Sequence, residues 1–350
     1  MPDDRSKEFA VRLAPFVSAL SVAALLGTPL SVADLTSLPS DACASATVAV
    51  ADATAVNGLN INQCGLGGTT VTAGGIEVLM PAAGQAVTVE ELVEAGSSVV
   101  TAYLHVEVSD DGFVSATTTP PPVESTIPLE YGAITATSAR PHSVLVEAAA
   151  YSRCTDYSRS TSAWYSPSTI YVNSTERRPS NITKTAFEGV VTGGMGVWKN
   201  GTNNCGIARA LHVPGAVAVG SYTYDANFTS TGGCGTADNR DVVDFGPIAD
   251  SGVLARTCTW STAGGAPYDK DIRIDTSTRS WVTTTTGCSG TKYDLRSVVT
   301  HELGHMLALG HATEFGGNDL TMSPNSAPCN SSARTLGAGD VSSIYVQPGG

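Results

Sequence analysis

The chain has 350 residues, length enough for two domains of ordinary size, and 42% apolar against 15% charged residues argues for packing over disorder. Its formal net charge is −13 and no basic patch offsets it, so nucleic-acid binding is set aside. Thr, Ser, Gly, Ala and Val dominate, a mixture that suits strands and turns better than long surface helices.

Arg5, Lys7 and Arg12 precede an apolar run from Leu13 to Leu26, and Ser31-Val32-Ala33 then places small residues where a signal peptidase needs them. This predicts a signal peptide over 1–33, a mature start near Asp34 and a secreted protein. The run holds Pro15 and is short for a bilayer span, so no stable membrane insertion is expected after its removal.

Residues 34–116 form one block, expected to be a small β-rich N-terminal domain or propeptide. Ile76 to Met80 and Val99 to Val108 read as strands. Between them, Thr88 with Glu91 three residues on has the form of a capping box for a short helix ending near Gly96. Residues 117–128, with Pro120-Pro121-Pro122, read as an extended linker.

The remaining block, 129–350, opens with strand-like stretches around Val144 to Ala150 and Thr169 to Val172. Thr185 to Trp198 has helical character, and Val217 to Tyr224 and Asp271 to Asp275 read as further strands. Eight cysteines lie beyond Asp34, an even number that suits four disulfides in an exported chain. Their connectivity stays open, and pairing of neighbours, such as Cys43 with Cys64, is one possibility. Sequons begin at Asn173, Asn181, Asn200, Asn227 and Asn330.

The stretch His301-Glu302-Leu303-Gly304-His305-Met306-Leu307-Ala308-Leu309-Gly310-His311 carries the chemistry. Asp294 is a fitting N-cap, and Leu295, Val298, Val299, Leu303, Met306 and Leu307 supply helical apolar spacing. On that helix His301 and His305 share a face, four residues apart, and both can reach one ion. His311 joins them only if the chain turns soon after His305. Three imidazoles leave a fourth zinc position open to water, as in catalytic rather than structural sites. Glu302, beside the metal without ligating it, is placed to act as general base.

These residues resemble the extended zinc motif of the metzincins, HExxHxxGxxH followed by a methionine turn. His301, Glu302, His305 and His311 match it, while Ala308 stands where the motif has glycine. The expectation is that Ala308 keeps a near-helical backbone and Gly310 takes up part of the turn. Leu320-Thr321-Met322-Ser323-Pro324 resembles the methionine turn, which makes Met322 the support beneath the metal. Leu336 to Tyr345, including Asp340, resembles the C-terminal helix of the matrixin branch, and Asp271 to Asp275 its substrate-binding edge strand.

The resemblance implies an α+β catalytic domain with a twisted mixed sheet, one helix behind it and the zinc helix below. It also implies a zinc endopeptidase acting on protein or peptide substrates. Gln63-Cys64-Gly65 is only faintly like the cysteine switch of animal matrixins, and His105, His142 and His212 are isolated. Asp225, Asp238, Asp241, Asp244 and Asp250 offer oxygen donors of the kind calcium takes, but without EF-hand spacing, and a solvated acidic loop is the alternative. The rival reading of the chain is a secreted, non-catalytic zinc-containing binding or adhesion protein. Oligomeric state is left open.

Overall fold

The strands follow from period-two patterning. In Tyr103–Val108, the side chains of Leu104, Val106 and Val108 are buried, while Tyr103, His105 and Glu107 stay partly exposed. The computed structural model describes residues 43, 49–97, 102–119, 153–155, 168–208, 213, 215–312 and 320–345. The expected signal peptide, the strand at Val144 to Ala150, His142, His212 and most of the linker lie outside these residues.

A small three-stranded sheet comes first, made of β1 (Val50–Asp52), β2 (Thr70–Ala73) and β3 (Ile76–Leu79), with the short helix α1 (Ala53–Val56). The principal sheet is mixed. It contains β4 (Gln85–Glu94), β5 (Tyr103–Val108), β6 (Val114–Thr117), β7 (Thr169–Val172), β8 (Ala216–Ala218), β9 (Asp241–Gly246), β10 (Val253–Thr262) and β11 (Pro267–Asp275). Their order is β6-β5-β4-β10-β11-β9-β7-β8, and β14 (Asn325–Ser326) pairs with β4. β11, β9, β7 and β8 run parallel, whereas β10 is antiparallel to both of its neighbours, β11 and β4. The two sequence blocks therefore share one sheet, joined at the β4–β10 pairing. A third, two-stranded sheet pairs β12 (Ser280–Val282) with β13 (Lys292–Asp294).

The fold corrects three sequence expectations. Thr88 and Glu91 lie within β4 and cap no helix. Thr88 Oγ1 bonds His105 Nδ1, and Glu91 ion-pairs with Arg256, so both side chains find partners across the sheet that a local helix would deny them. Asp271 to Asp275 is an interior segment, flanked by β9 and β10. Its charges are satisfied internally: Arg273 binds Asp244, and Asp271 accepts from the amides of Asn227 and Val242. Of the stretch Val217 to Tyr224, only its first two residues belong to a strand.

Helix α2 (Lys184–Asn200) starts where Thr183 Oγ1 accepts from the Ala186 amide, and it ends at Gly201 with φ 59°. Helix α3 (Leu295–Met306) is capped by Asp294, whose Oδ1 accepts from Ser297 N at 2.8 Å. The two helices pack together through Trp198, whose Nε1 donates to Thr300 O at 2.7 Å. Helix α4 (Ala338–Tyr345) closes the described chain.

The buried apolar residues fall into two clusters. One unites the first block with Cys234, Cys258 and Trp260, and the other lies among α2, α3 and the parallel strands. Four disulfides join sequence neighbours: Cys43–Cys64, Cys154–Cys205, Cys234–Cys258 and Cys288–Cys329. Among the described residues no helix is long and apolar enough to cross a membrane. Asn173 is 1% exposed and bonded to Asp225, which makes it a poor glycan acceptor.

Candidate metal centre

The centre is built from one helix and the turn that ends it. The i,i+4 spacing on α3 brings the Nε2 atoms of His301 and His305 to 3.0 Å. The helix stops at Leu307, and the chain then reverses to carry His311 back. Ligand nitrogens of all three histidines lie within 4.8 Å of one another, and all three residues are buried. Among the described residues they are the one group of this kind.

The reversal corrects the expectation for Ala308. It takes φ 63°, in the left-handed region, and Gly310 is not among the positive-φ residues. Alanine there costs roughly 1–2 kcal/mol, and the chain tolerates it because the surrounding bonds fix the turn. Ala308 N bonds His305 O at 2.8 Å, and Leu309 N bonds Gly304 O at 3.0 Å.

The protonation pattern fits a metal. His301 Nδ1 lies 2.7 Å from Thr321 O, and His305 Nδ1 lies 2.7 Å from Leu309 O. A carbonyl only accepts, so Nδ1 carries a hydrogen in both rings and Nε2 is the atom each ring can offer a metal. At 3.0 Å the two Nε2 atoms can share either a proton or a metal ion. His311 Nε2 is buried without a hydrogen-bond partner, an orphan that metal ligation would satisfy. Burial and the neighbouring imidazoles hold His301 and His311 well below the usual histidine range, in the neutral form that ligates. Burial also disfavours the charged form of His305, yet the Glu90 carboxylate, 3.0 Å from Nδ1, lifts it to about 9 with help from Glu302. The trio could hold a metal ion, and imidazole donors suit transition metals.

Glu302 stands beside the trio on α3 and is fully buried. Its Oε2 accepts from Thr257 Oγ1 on β10, and its Oε1 has no partner. Burial is the main reason its carboxyl is pushed up to about 7; the nearby Glu90 and Glu91 act in the same direction.

Met322 lies directly beneath α3. A Cβ on Gly304 would run into Met322 Sδ and come within 2.9 Å of Trp198, so only glycine lets the helix sit this low. The turn that carries Met322 is braced by Asp340, which accepts from the amides of Thr321 (2.8 Å), Met322 (3.1 Å) and Gly337 (2.7 Å).

Asp340 was expected only as part of the C-terminal helix, and Thr257, Glu90 and Trp198 were not expected at the site at all. A lone acid in the otherwise uncharged stretch from Leu336 to Tyr345 was a local signal for Asp340. The other three arrive by tertiary contact and have none. Of the five aspartates considered for calcium, Asp225 and Asp238 are exposed loop residues, Asp250 is half-buried, and Asp241 and Asp244 are buried in β9. Each faces a cation: Asp225 faces Arg177, Asp238 Arg240, Asp241 Lys270, Asp244 Arg273 and Asp250 Arg256. His105 is on β5, bonded to Thr88. Compared with protein-family models and with curated protein sequences, the chain matches none.

Proposed function

We propose that this chain is a secreted, zinc-dependent endopeptidase of the metzincin type. The observation that carries the reading is the unpartnered Oε1 of a buried Glu302 beside three convergent histidines. A structural metal site has no use for such a carboxylate, and burying it unsatisfied is costly. The mixed sheet with α2 behind it, and Met322 under α3, support the family assignment. Four disulfides support export.

His301, His305 and His311 would hold the zinc through their side-chain nitrogens. When bound, zinc supplies Lewis acidity to a water and to the scissile carbonyl. Glu302 takes the proton of the attacking water at Oε1 and passes it to the departing amine nitrogen. Thr257, holding Oε2, keeps that oxygen from turning away. Thr321 and Leu309 carbonyls fix the orientation of two imidazoles, and Met322 sets the height of the helix. Substrate cannot add to Asp271 to Asp275, whose two edges are taken.

The test is cleavage of casein by the secreted chain, assayed before and after limited proteolysis, with Glu302→Ala and a chelator as controls. Cleavage that vanishes in both controls and returns with added zinc is the expected result. Absence of cleavage in every form, with one zinc bound, would favour the binding or adhesion protein. The observation on that side is that β4 already covers the free edge of β10.

A further inference from the structure

The groove beside the metal centre is filled by the chain's own strand. β4 pairs antiparallel with β10 at nine positions, from Gln85 to Val93, and one of them sets Glu90 opposite Thr257, the residue that holds Glu302. At its C-terminal end β4 has a second partner. Val93 N bonds Pro324 O at 3.0 Å and Ala95 N bonds Ser326 O at 2.9 Å, in parallel register with the segment just after Met322. Between these two, Glu94 N bonds Gly252 O at 2.8 Å on the other side. Alternate amides thus face alternate walls, which is how an extended peptide is gripped in a two-edged groove.

The side chains complete the picture. Val87 and Val89 pack into the first-block cluster, but Leu92 does not: among the described residues it alone before Ile170 belongs to the cluster around α2 and α3. It is 3% exposed and borders a cavity of about 10 Å³, room for one water, together with Ser297, His301, Leu320 and Thr321. Two residues earlier, on the same face, Glu90 reaches His305. One strand therefore lines a pocket with one histidine of the trio and contacts a second.

We propose that β4 is a built-in substrate mimic, holding the place and polarity of an extended peptide, and that the groove selects chains with a leucine-sized aliphatic side chain two residues after an acidic one. The word substrate rests on the peptidase reading; the occupancy of the groove does not. β4 has to leave before another peptide can enter, so the chain as described keeps its own groove closed.

The experiment uses the full zinc-loaded chain, and the probe is a short peptide hydroxamate carrying leucine, with an aspartate-bearing version as control. Leu92→Ala and Glu90→Gln loosen the strand at two different contacts, and amide exchange in β11 reports that the fold persists. The leucine probe should bind both variants about tenfold or more tighter than the unaltered chain, since a larger fraction of each has the groove open. While it is bound, the amides of Val93, Glu94 and Ala95 should lose protection. The aspartate probe should bind at least about tenfold more weakly. Equal affinity for all three proteins, unchanged protection of β4 with the probe bound, or no binding to any of them would overturn the proposal. If β4 is displaced as expected but no form cleaves casein, the mimic stands as a peptide-binding device and the peptidase reading falls.

Discussion

Two buried carboxylates, one on α3 and one on α4, show how differently the same group can be used. Asp340 is 1% exposed and saturated, with three backbone amides ending on its two oxygens. Glu302 is 0% exposed and half-satisfied, with one oxygen on Thr257 and the other on nothing. A saturated carboxylate braces the turn it holds. An unsatisfied one costs stability and keeps a lone pair for chemistry. The same contrast separates the regions around them: the turn that carries Met322 is closed by its own bonds, while the histidine trio keeps ligating nitrogens turned toward one another and could hold a metal ion.

Substitutions at the two sites should therefore behave oppositely. Glu302→Gln should lower cleavage by about 10³-fold, the range general-base catalysis supplies, while denaturant midpoints hold or rise. A large loss of stability with cleavage preserved would reverse the roles of the two acids. Stripping the metal comes next. A chelator should remove roughly 3–4 kcal/mol of stability at ordinary zinc excess, read as a fall in the thermal midpoint that added zinc restores. No shift would mean that His301, His305 and His311 hold no ion. Asp340→Ala leaves three amides without an acceptor and should cost roughly 2–4 kcal/mol in urea titration, with Asp340→Asn milder. A cost below about 0.5 kcal/mol, typical of surface changes, would show that the turn is held from elsewhere. The smallest effect should be Ala308→Gly. Relief of the left-handed backbone gains roughly 1–2 kcal/mol, and the looser unfolded chain returns about 1, leaving a net gain of roughly 0–1 kcal/mol. A net loss would argue that Ala308 makes packing contacts that outweigh its backbone strain.

The comparison also explains what could be read in advance. The histidines and Glu302 sit within eleven consecutive residues, and helix geometry alone brings His301 and His305 together. Helix α2 and the Asp294 cap were legible for the same local reason. Ala308 was misjudged because its φ is dictated by where His311 must go, which the neighbouring residues do not encode. Glu91 was read with Thr88 as the start of a helix that would also have held Glu90, since the capping-box spacing is indifferent to whether a partner strand is present. Their true partners, His305 and Arg256, are each more than 160 residues away in sequence. Asp271 to Asp275 was expected at an edge only from its resemblance to an edge strand, but its charges are met inside the sheet, Arg273 by Asp244 and Asp271 by the amides of Asn227 and Val242.

The pattern of cross-links has a consequence for how the two blocks part. All eight cysteines are paired, and every pair lies inside one block: Cys43–Cys64 in the first, the other three in the second. Nothing covalent joins the blocks except the main chain between Thr117 and Thr169. One backbone scission there would turn β4 from a tethered neighbour, present at an effective concentration on the order of millimolar, into a separate ligand subject to mass action. Dilution would then release it without any reductant, at a rate set by how fast the β10 and β14 hydrogen bonds open.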